Sequence, residues 1–571
     1  MATQVGARPG VPLAAVKPEA YSALSREAIG ALKFASRKAN VKDDWTKGGR
    51  LSGAWDRMTG FPYWHKPTYD VDYLMRVVSK VAQELPAWRE VTGQAADALV
   101  MRMPQYAAWF DWVEEKEYDP NRSHYPLFYY EHLMPPGFAG VYNAPGYCGN
   151  GLKSNVFHLP QSLVVQSHTM KEDWPYYSPH SPARGRTYNP DPIYGNGGSN
   201  MMYKGYFAHQ LMLARLITGD DKYEQPMRLV YDENIQYTYD ARGIIEMMCD
   251  QHLADVDEGG SPLVYGIDCE VGKVFPVCVS VGGLAAHLHD KLHGTKFRRG
   301  YDQWLVWAKD NVTGGHTEPE GAFAWCAPYF DRDIPYCMSE PRQQMGAFFV
   351  APAIQIAPVD PKYALRIYEG VMKTYGRQEA NGLHVIWPPE VTTPVILDDP
   401  TSNAGALALA HEFDDRERAA ALKAWIDANY PPTYKDGEFY FTFGLDEEWP
   451  RGIPNSFATL AYIGEAGSFR RMYNDINLEK FTQPTVSGID YPRVAVRQAS
   501  YDAEKDALIL SITPGAGGRA GTNTTFKVSH LGLGIEHEVL QDGQVVDDWA
   551  NGPAGEILVR TTVGDHTFVI R

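Results

Sequence analysis

The sequence predicts a mostly α-helical chain, an (α/α)6 toroid or barrel with a long aromatic loop insertion and a small C-terminal β-sandwich domain. Three observations predict it. Amphipathic helices recur in pairs, each pair joined by a short Gly, Pro or acidic turn. A long stretch rich in Pro, Gly, Tyr, Asn and His interrupts them. Near residue 482 the pattern changes to apolar–polar alternation, the period of a half-buried strand.

Residues 1–50 read as an N-terminal arm and first helix, 51–480 as the barrel, and 485–571 as the β-sandwich. Within the barrel, helix pairs are expected over 69–84 and 87–101, 201–219 and 222–234, and 281–293 and 296–311. Two further pairs are expected over 347–357 and 362–375, and over 404–413 and 416–430. Beyond the insertion, pairs spaced roughly 50 to 75 residues apart are too loose for the tighter helical repeats and suit a closed array of hairpins. Gly294 follows an apolar helix and suits a left-handed terminating residue, because glycine has no Cβ to clash there. The insertion, about 118–198, is aromatic enough to form a packed cover over a pocket. In the last segment, RVAVRQASY, ALILSITPG, TTFKVSHL, GIEHEVLQDG and EILVRTTVGDHTFVIR alternate, with residues 545–550 as a turn-rich middle.

Composition narrows the function. Of 571 residues, 44% are apolar and 22% charged, as in a globular protein. Lys plus Arg is 53 and Asp plus Glu is 70, a net charge of 53 − 70 = −17, which disfavours general nucleic-acid binding. No run approaches the roughly 18 apolar residues of a membrane span. The first residues lack a secretory apolar segment, so the expected location is cytoplasmic. The six cysteines (Cys148, Cys249, Cys269, Cys278, Cys326 and Cys337) form neither a disulfide framework nor a zinc spacing. Aromatic residues make up 12%, which suits an aromatic-lined pocket as well as a large core.

The segment GIDCEVGKVFPVC concentrates Asp268, Cys269, Glu270 and Cys278 within about a dozen residues. Thiols and carboxyls can exchange protons with a substrate when their surroundings tune them. Cysteine is also a common small buried residue. WDRMTGFPYWHKPTY places Asp56 among Tyr63, Trp64 and Tyr69, where an Asp can act as a desolvated base or cap a turn. NMMYKGYFAHQ puts Met202 and Tyr206 on one helix face at i, i+4, with His209 nearby, and core packing is the simpler reading. His287 and His289 lie two residues apart and cannot share a helical face, which argues against a metal pair. No GxGxxG before a helix, P-loop, HExxH or GxSxG occurs.

The motifs NMMYKGYFAHQLMLARLITGDDKYE, CEVGKVFPVC with the following VSVGGLAAHLHDKLHGTKF, and GAFAWCAPYF resemble those of the linalool dehydratase/isomerase family. The resemblance runs from about 54 to 473, apart from the aromatic insertion, and leaves the β-module outside. It implies an (α/α)6 barrel that dehydrates or isomerises an allylic isoprenoid alcohol without a cofactor. It further implies an apolar site between neighbouring subunits of a cyclic homo-oligomer. The implied catalytic residues are Cys269, Cys278, Asp56 and Tyr63, with Cys269 on the acid side and Cys278 and Asp56 on the base side. Tyr69, Met202, Tyr206 and Glu270 would bind the substrate. Tyr206 stands where the family has a histidine, and a phenol with an ordinary pKa near 10 is a weaker proton source at neutral pH. The substrate is a small hydrophobic molecule on this reading. The alternatives are a cyclase or isomerase of a larger terpenoid, a glycosidase or polysaccharide lyase on the same architecture, and a non-catalytic helical scaffold.

Overall fold

A computed structural model of the protein describes residues 11–39, 65–90, 92–96, 100, 201–230, 236–254, 265–267, 273–312, 330–331, 336–337, 346–385, 399–443, 452–532 and 536–571. The expected insertion lies outside these residues. The described chain is mostly helical with a sheet-rich C-terminal region.

The helices are α1 (Arg26–Ala39), α2 (His65–Glu84), α3 (Met201–Thr218), α4 (Ala241–Ala254), α5 (Pro276–His293) and α6 (Arg298–Asn311). They continue as α7 (Gly346–Ile356), α8 (Pro361–Tyr375), α9 (Asp399–Glu412), α10 (Arg416–Asn429), α11 (Gly452–Tyr462) and α12 (Ser468–Asn474). Local chemistry sets their ends. Gly294 closes α5 at φ 69°, and its N–H donates to the Asp290 carbonyl at 2.8 Å. The Asp290 carboxylate then shapes the turn into α6, accepting from Thr295 Oγ1 at 2.6 Å, Phe297 N at 2.8 Å and Arg298 N at 3.0 Å. Asp360 caps α8 by accepting from Tyr363 N at 3.0 Å, with Pro361 opening the helix, where a missing N–H costs nothing.

Two expected elements differ. The helix anticipated over 222–234 is replaced by a hairpin, β1 (Met227–Val230) with β2 (Gln236–Tyr239). Pro226 biases the residue before it away from helix, and the strands are rich in Val, Leu, Tyr and Thr. The helix comes later, as α4, opened by Asp240, which accepts from Gly243 N at 2.7 Å. Trp88, expected inside a helix, instead bridges Val486. The Ala87 main chain donates to Ala499 and accepts from Val486, so the sheet claims this backbone first.

The helices neighbour one another in a regular order. α2 packs on α3, α3 on α5, α5 on α7, α7 on α9, α9 on α11, and α11 on α2. α6, α8 and α10 pack on α5, α7 and α9 respectively. Short two-stranded hairpins, β6 (Gly376–Glu379) with β7 (Gly382–Val385) and β8 (Thr433–Lys435) with β9 (Glu438–Tyr440), follow α8 and α10. Between α4 and α7 lie the short strands β3 (Lys273–Val274), β4 (Phe330–Asp331) and β5 (Tyr336–Cys337), paired in that order.

After α12 the chain forms two antiparallel sheets. β10 (Thr485–Ser487), β13 (Asn523–Ser529), β17 (Ile557–Thr562) and β16 (Trp549–Asn551) make one. β11 (Val494–Asp502), β12 (Ala507–Pro514), β18 (His566–Ile570), β14 (Val539–Gln541) and β15 (Gln544–Val545) make the other. Phe526 of the first meets Phe568 of the second edge-on at 5.0 Å. The N-terminal arm covers the five-stranded sheet, with Leu13 and Val16 packed on Ala507, Ile509, Leu540 and Val569. Residues 545–550, read as turn-rich, contribute to the two short strands β15 and β16.

α4 and α6 touch through backbone at Gly300, where an added Cβ lies 2.8 Å from the Cys249 carbonyl oxygen and 2.9 Å from His252 Cβ. Gly300→Val is expected to destabilise the protein by about 1–3 kcal/mol, because neither neighbour is a flexible side-chain end. A lowered urea midpoint with an unchanged far-ultraviolet spectrum in water is the expected result.

Candidate active site

The two sequence motifs meet where α3 and α5 cross. A Cβ on Gly205 lies 3.3 Å from the Cys278 carbonyl oxygen and 3.3 Å from Gly282 N, so the backbones approach within van der Waals contact. The side chain of Met201, with no exposed surface, fills the space above Gly282, where a Cβ would sit 2.1 Å from its terminal methyl. Cys278, in the first turn of α5, is a buried thiol. Tyr206, next to Gly205, is fully buried.

Beside this crossing α2 carries a buried charged network. Asp72, Arg76 and His209 all have no exposed surface. Arg76 Nε and Nη2 donate to Asp72 Oδ2 at 2.9 and 2.7 Å. Asp72 Oδ1 takes Nδ1 of His209 at 2.5 Å, and His209 Nε2 meets the Tyr473 hydroxyl at 2.9 Å. A carboxylate only accepts, so this arrangement assigns the proton to His209 Nδ1, and Nε2 accepts from Tyr473. The network is then neutral overall. Burial opposes ionisation of Asp72, but His209 and Arg76 outweigh it and hold the carboxyl below its usual range. Burial lowers the pKa of His209, against the pull of Asp72.

Tyr73 connects this network to Tyr206. The Arg76 guanidinium lies 4.1 Å from the centre of the Tyr73 ring, and Phe457 meets that ring edge-on at 4.9 Å. Gln355 Nε2 donates to the Tyr73 hydroxyl at 3.3 Å. The Tyr73 and Tyr206 rings are 6.4 Å apart, tilted by 49°. Burial pushes the Tyr73 phenol up to about 12, while Arg76 works in the opposite direction.

Of the residues expected from the sequence, Cys278 and Tyr206 therefore lie on two helices in backbone contact. Tyr69 and Met202 lie on α2 and α3, with their side chains outside the described residues. Asp56, Tyr63, Cys269 and Glu270 lie outside them as well. Met201, Tyr73 and the Asp72–Arg76–His209–Tyr473 network are not evident from the sequence, where core packing is the simpler reading of His209. The available signal was the spacing of Asp72, Arg76 and Lys80 at i, i+4 and i+8, one stripe of charge along the helix.

His287 and His289 have separate partners, in agreement with their spacing. His287 meets Arg298 Nη1 at 2.8 Å and Asn474 Oδ1 at 3.0 Å, and His289 meets Thr295 Oγ1 at 2.7 Å. Among the described residues no cluster of three or more His, Cys, Asp or Glu is arranged to hold a metal. No helix among them is long and apolar enough to cross a membrane.

Burial first, then neighbouring cations, lowers His287 and His289 to about 4. A depressed folded pKa gives stability that is present above the unfolded value near 6.5 and is lost as pH falls toward 4. The melting temperature is expected to drop between pH 6.5 and 4.5, and His287→Gln is expected to shrink that drop. Replacing Asp72 by Ala, which strands Arg76 in the interior, should cost about 3–5 kcal/mol in urea unfolding.

Residues 154–443 match the family model described as linalool dehydratase/isomerase. The match begins inside the stretch read as an insertion. No curated protein matches the sequence. Among solved structures, the chain is similar to a GH76 α-mannanase from Bacteroides thetaiotaomicron, at 13% identity over 48% of this chain and 70% of that one, with a TM-score of 0.27. It is also similar to a GH127 β-L-arabinofuranosidase from Geobacillus stearothermophilus T6, at 10% identity over 95% and 75%, with a TM-score of 0.30. A second GH127 β-arabinofuranosidase gives 9% identity over 98% and 80%, also with a TM-score of 0.30.

Proposed function

We propose that this chain, which belongs to the linalool dehydratase/isomerase family, is a lyase or isomerase that removes or relocates the hydroxyl group of an allylic, isoprenoid-like alcohol by acid–base chemistry without a cofactor. The observation that carries the reading is the Gly205–Gly282 crossing, which brings the main chain of Cys278 against the helix of Tyr206 in a buried setting.

The chemistry makes defined demands. An acid must protonate the hydroxyl as the C–O bond breaks and water departs. A base must take a proton from the neighbouring carbon to give a diene, or water must return to the other end of the allyl group to give the isomer. Both steps need a water-poor, apolar cavity, because cationic character develops on carbon. In this proposal Cys269 supplies the proton, Cys278 and Asp56 accept one, and Tyr63 assists. Tyr69, Met202, Tyr206 and Glu270 hold the substrate. The tyrosine at 206 offers a hydrogen-bond donor to the hydroxyl rather than a proton reservoir.

The reading includes an (α/α)6 toroid, supported by the neighbour order α2–α3–α5–α7–α9–α11 returning to α2. It also includes a β-sandwich domain over 485–571, a cyclic homo-oligomer and a cytoplasmic location.

The test is an anaerobic incubation of reduced protein with linear and cyclic allylic alcohols, with products separated by gas chromatography. Turnover is expected, and Cys269→Ala and Cys278→Ala should each lower it about 10²- to 10⁴-fold, the usual contribution of a positioned acid or base. Undiminished turnover in both variants would sink the assignment of chemistry to the thiols.

A further inference from the structure

We propose that Arg76 is a positioning residue for Tyr206, acting through the Tyr73 ring on which its guanidinium lies. The inference rests on Tyr206 belonging to the site proposed above.

Arg76 is fully buried, and one carboxylate oxygen, Asp72 Oδ2, satisfies both Nε and Nη2. Its Nη1 has no hydrogen-bond partner among the described residues. A buried ion pair adds little stability compared with apolar residues of the same shape, and an unmatched buried donor is a further cost. Structural support alone therefore gives a poor account of this arginine. Its geometry gives a better one. The other Asp72 oxygen is held by His209, which is held in turn by Tyr473, so the carboxylate cannot swing away and the guanidinium is fixed. Gln355 and Phe457 fix Tyr73 from α7 and α11.

The groups facing this cluster are Asp72, Tyr73 and Arg76 from α2, and Tyr206 and His209 from α3. Gln355 of α7 and Tyr473 of α12 join them among the described residues. Arg76 is the one cation among them when His209 is neutral. Its charge favours the ionised form of each nearby phenol, whereas Asp72 disfavours it. On Tyr73 and on Tyr473, the Arg76 effect is the larger of the two. Arg76 also interacts electrostatically with Tyr206 itself. A phenol polarised in this way is a stronger hydrogen-bond donor toward a substrate hydroxyl.

The experiment replaces Tyr206 by 3,5-difluorotyrosine in the full chain and follows phenolate absorbance against pH. Arg76→Gln should raise the midpoint by about one pH unit, and the charge-neutral double variant Arg76→Gln with Asp72→Asn by about half a unit, because it also removes the opposing Asp72 charge, while Arg76→Lys should hold it within about 0.3 unit. The double variant leaves no buried charge stranded, so it keeps the test open if the single variant does not fold. A folded double variant with the parent midpoint would overturn the proposal. The titration needs no substrate. An unchanged midpoint therefore counts against Arg76 alone, and inactivity on alcohols counts against the dehydratase reading alone.

Discussion

Two glycines, Gly205 and Gly282, let α3 and α5 approach to backbone contact, and the candidate site depends on that closeness. Helices with ordinary side chains at a crossing keep their axes about 8–10 Å apart. Without side chains at these two positions the crossing is tighter, and Met201, with the Met248 sulfur beside Gly282, covers the gap. The consequence is chemical as much as mechanical. Cys278 and Tyr206 are held by rigid helices rather than loops, so their relative placement is set by packing.

The charged network beside the crossing works under a different constraint. Taking Asp72 and Arg76 out of water is expensive, and only close geometry with full hydrogen bonding offsets it. Asp72 achieves this, with one oxygen bonded to Arg76 and the other to His209. Tyr473, on the short helix α12, satisfies the far side of the imidazole. The network thus links α2, α3 and α12, elements far apart in sequence, through directional contacts that apolar packing does not supply. Glu412 makes a comparable link nearby, accepting from Phe469 N and Arg470 N at the start of α12 and from Arg470 Nε.

Features set by nearest neighbours were legible in the sequence. Gly294 after α5, the Asp360-Pro361 turn and the alternation of the C-terminal strands are each decided within a few residues. The hairpin of Met227–Val230 and Gln236–Tyr239 was not legible as strand, because its apolar spacing fits a short helix almost as well and only Pro226 argues otherwise. The motif residues of the site stood out by resemblance, and Cys278 and Tyr206 lie on contacting helices. The polar network did not stand out. Charges at Asp72, Arg76 and Lys80 ordinarily mark a solvent face, and they become interior only when α3, α11 and α12 enclose α2. That enclosure is a property of the whole assembly of helices, which no local window contains.

The arm that carries Leu13 and Val16 finds its partners on strands made much later, Ala507, Ile509, Leu540 and Val569. On a ribosome adding about 5–20 residues per second, those apolar side chains wait roughly half a minute to two minutes for the surface that covers them. The sheet cannot finish its own exterior until then, and the helices between have time to assemble first. For this arm the order of synthesis and the order of burial therefore run opposite to each other.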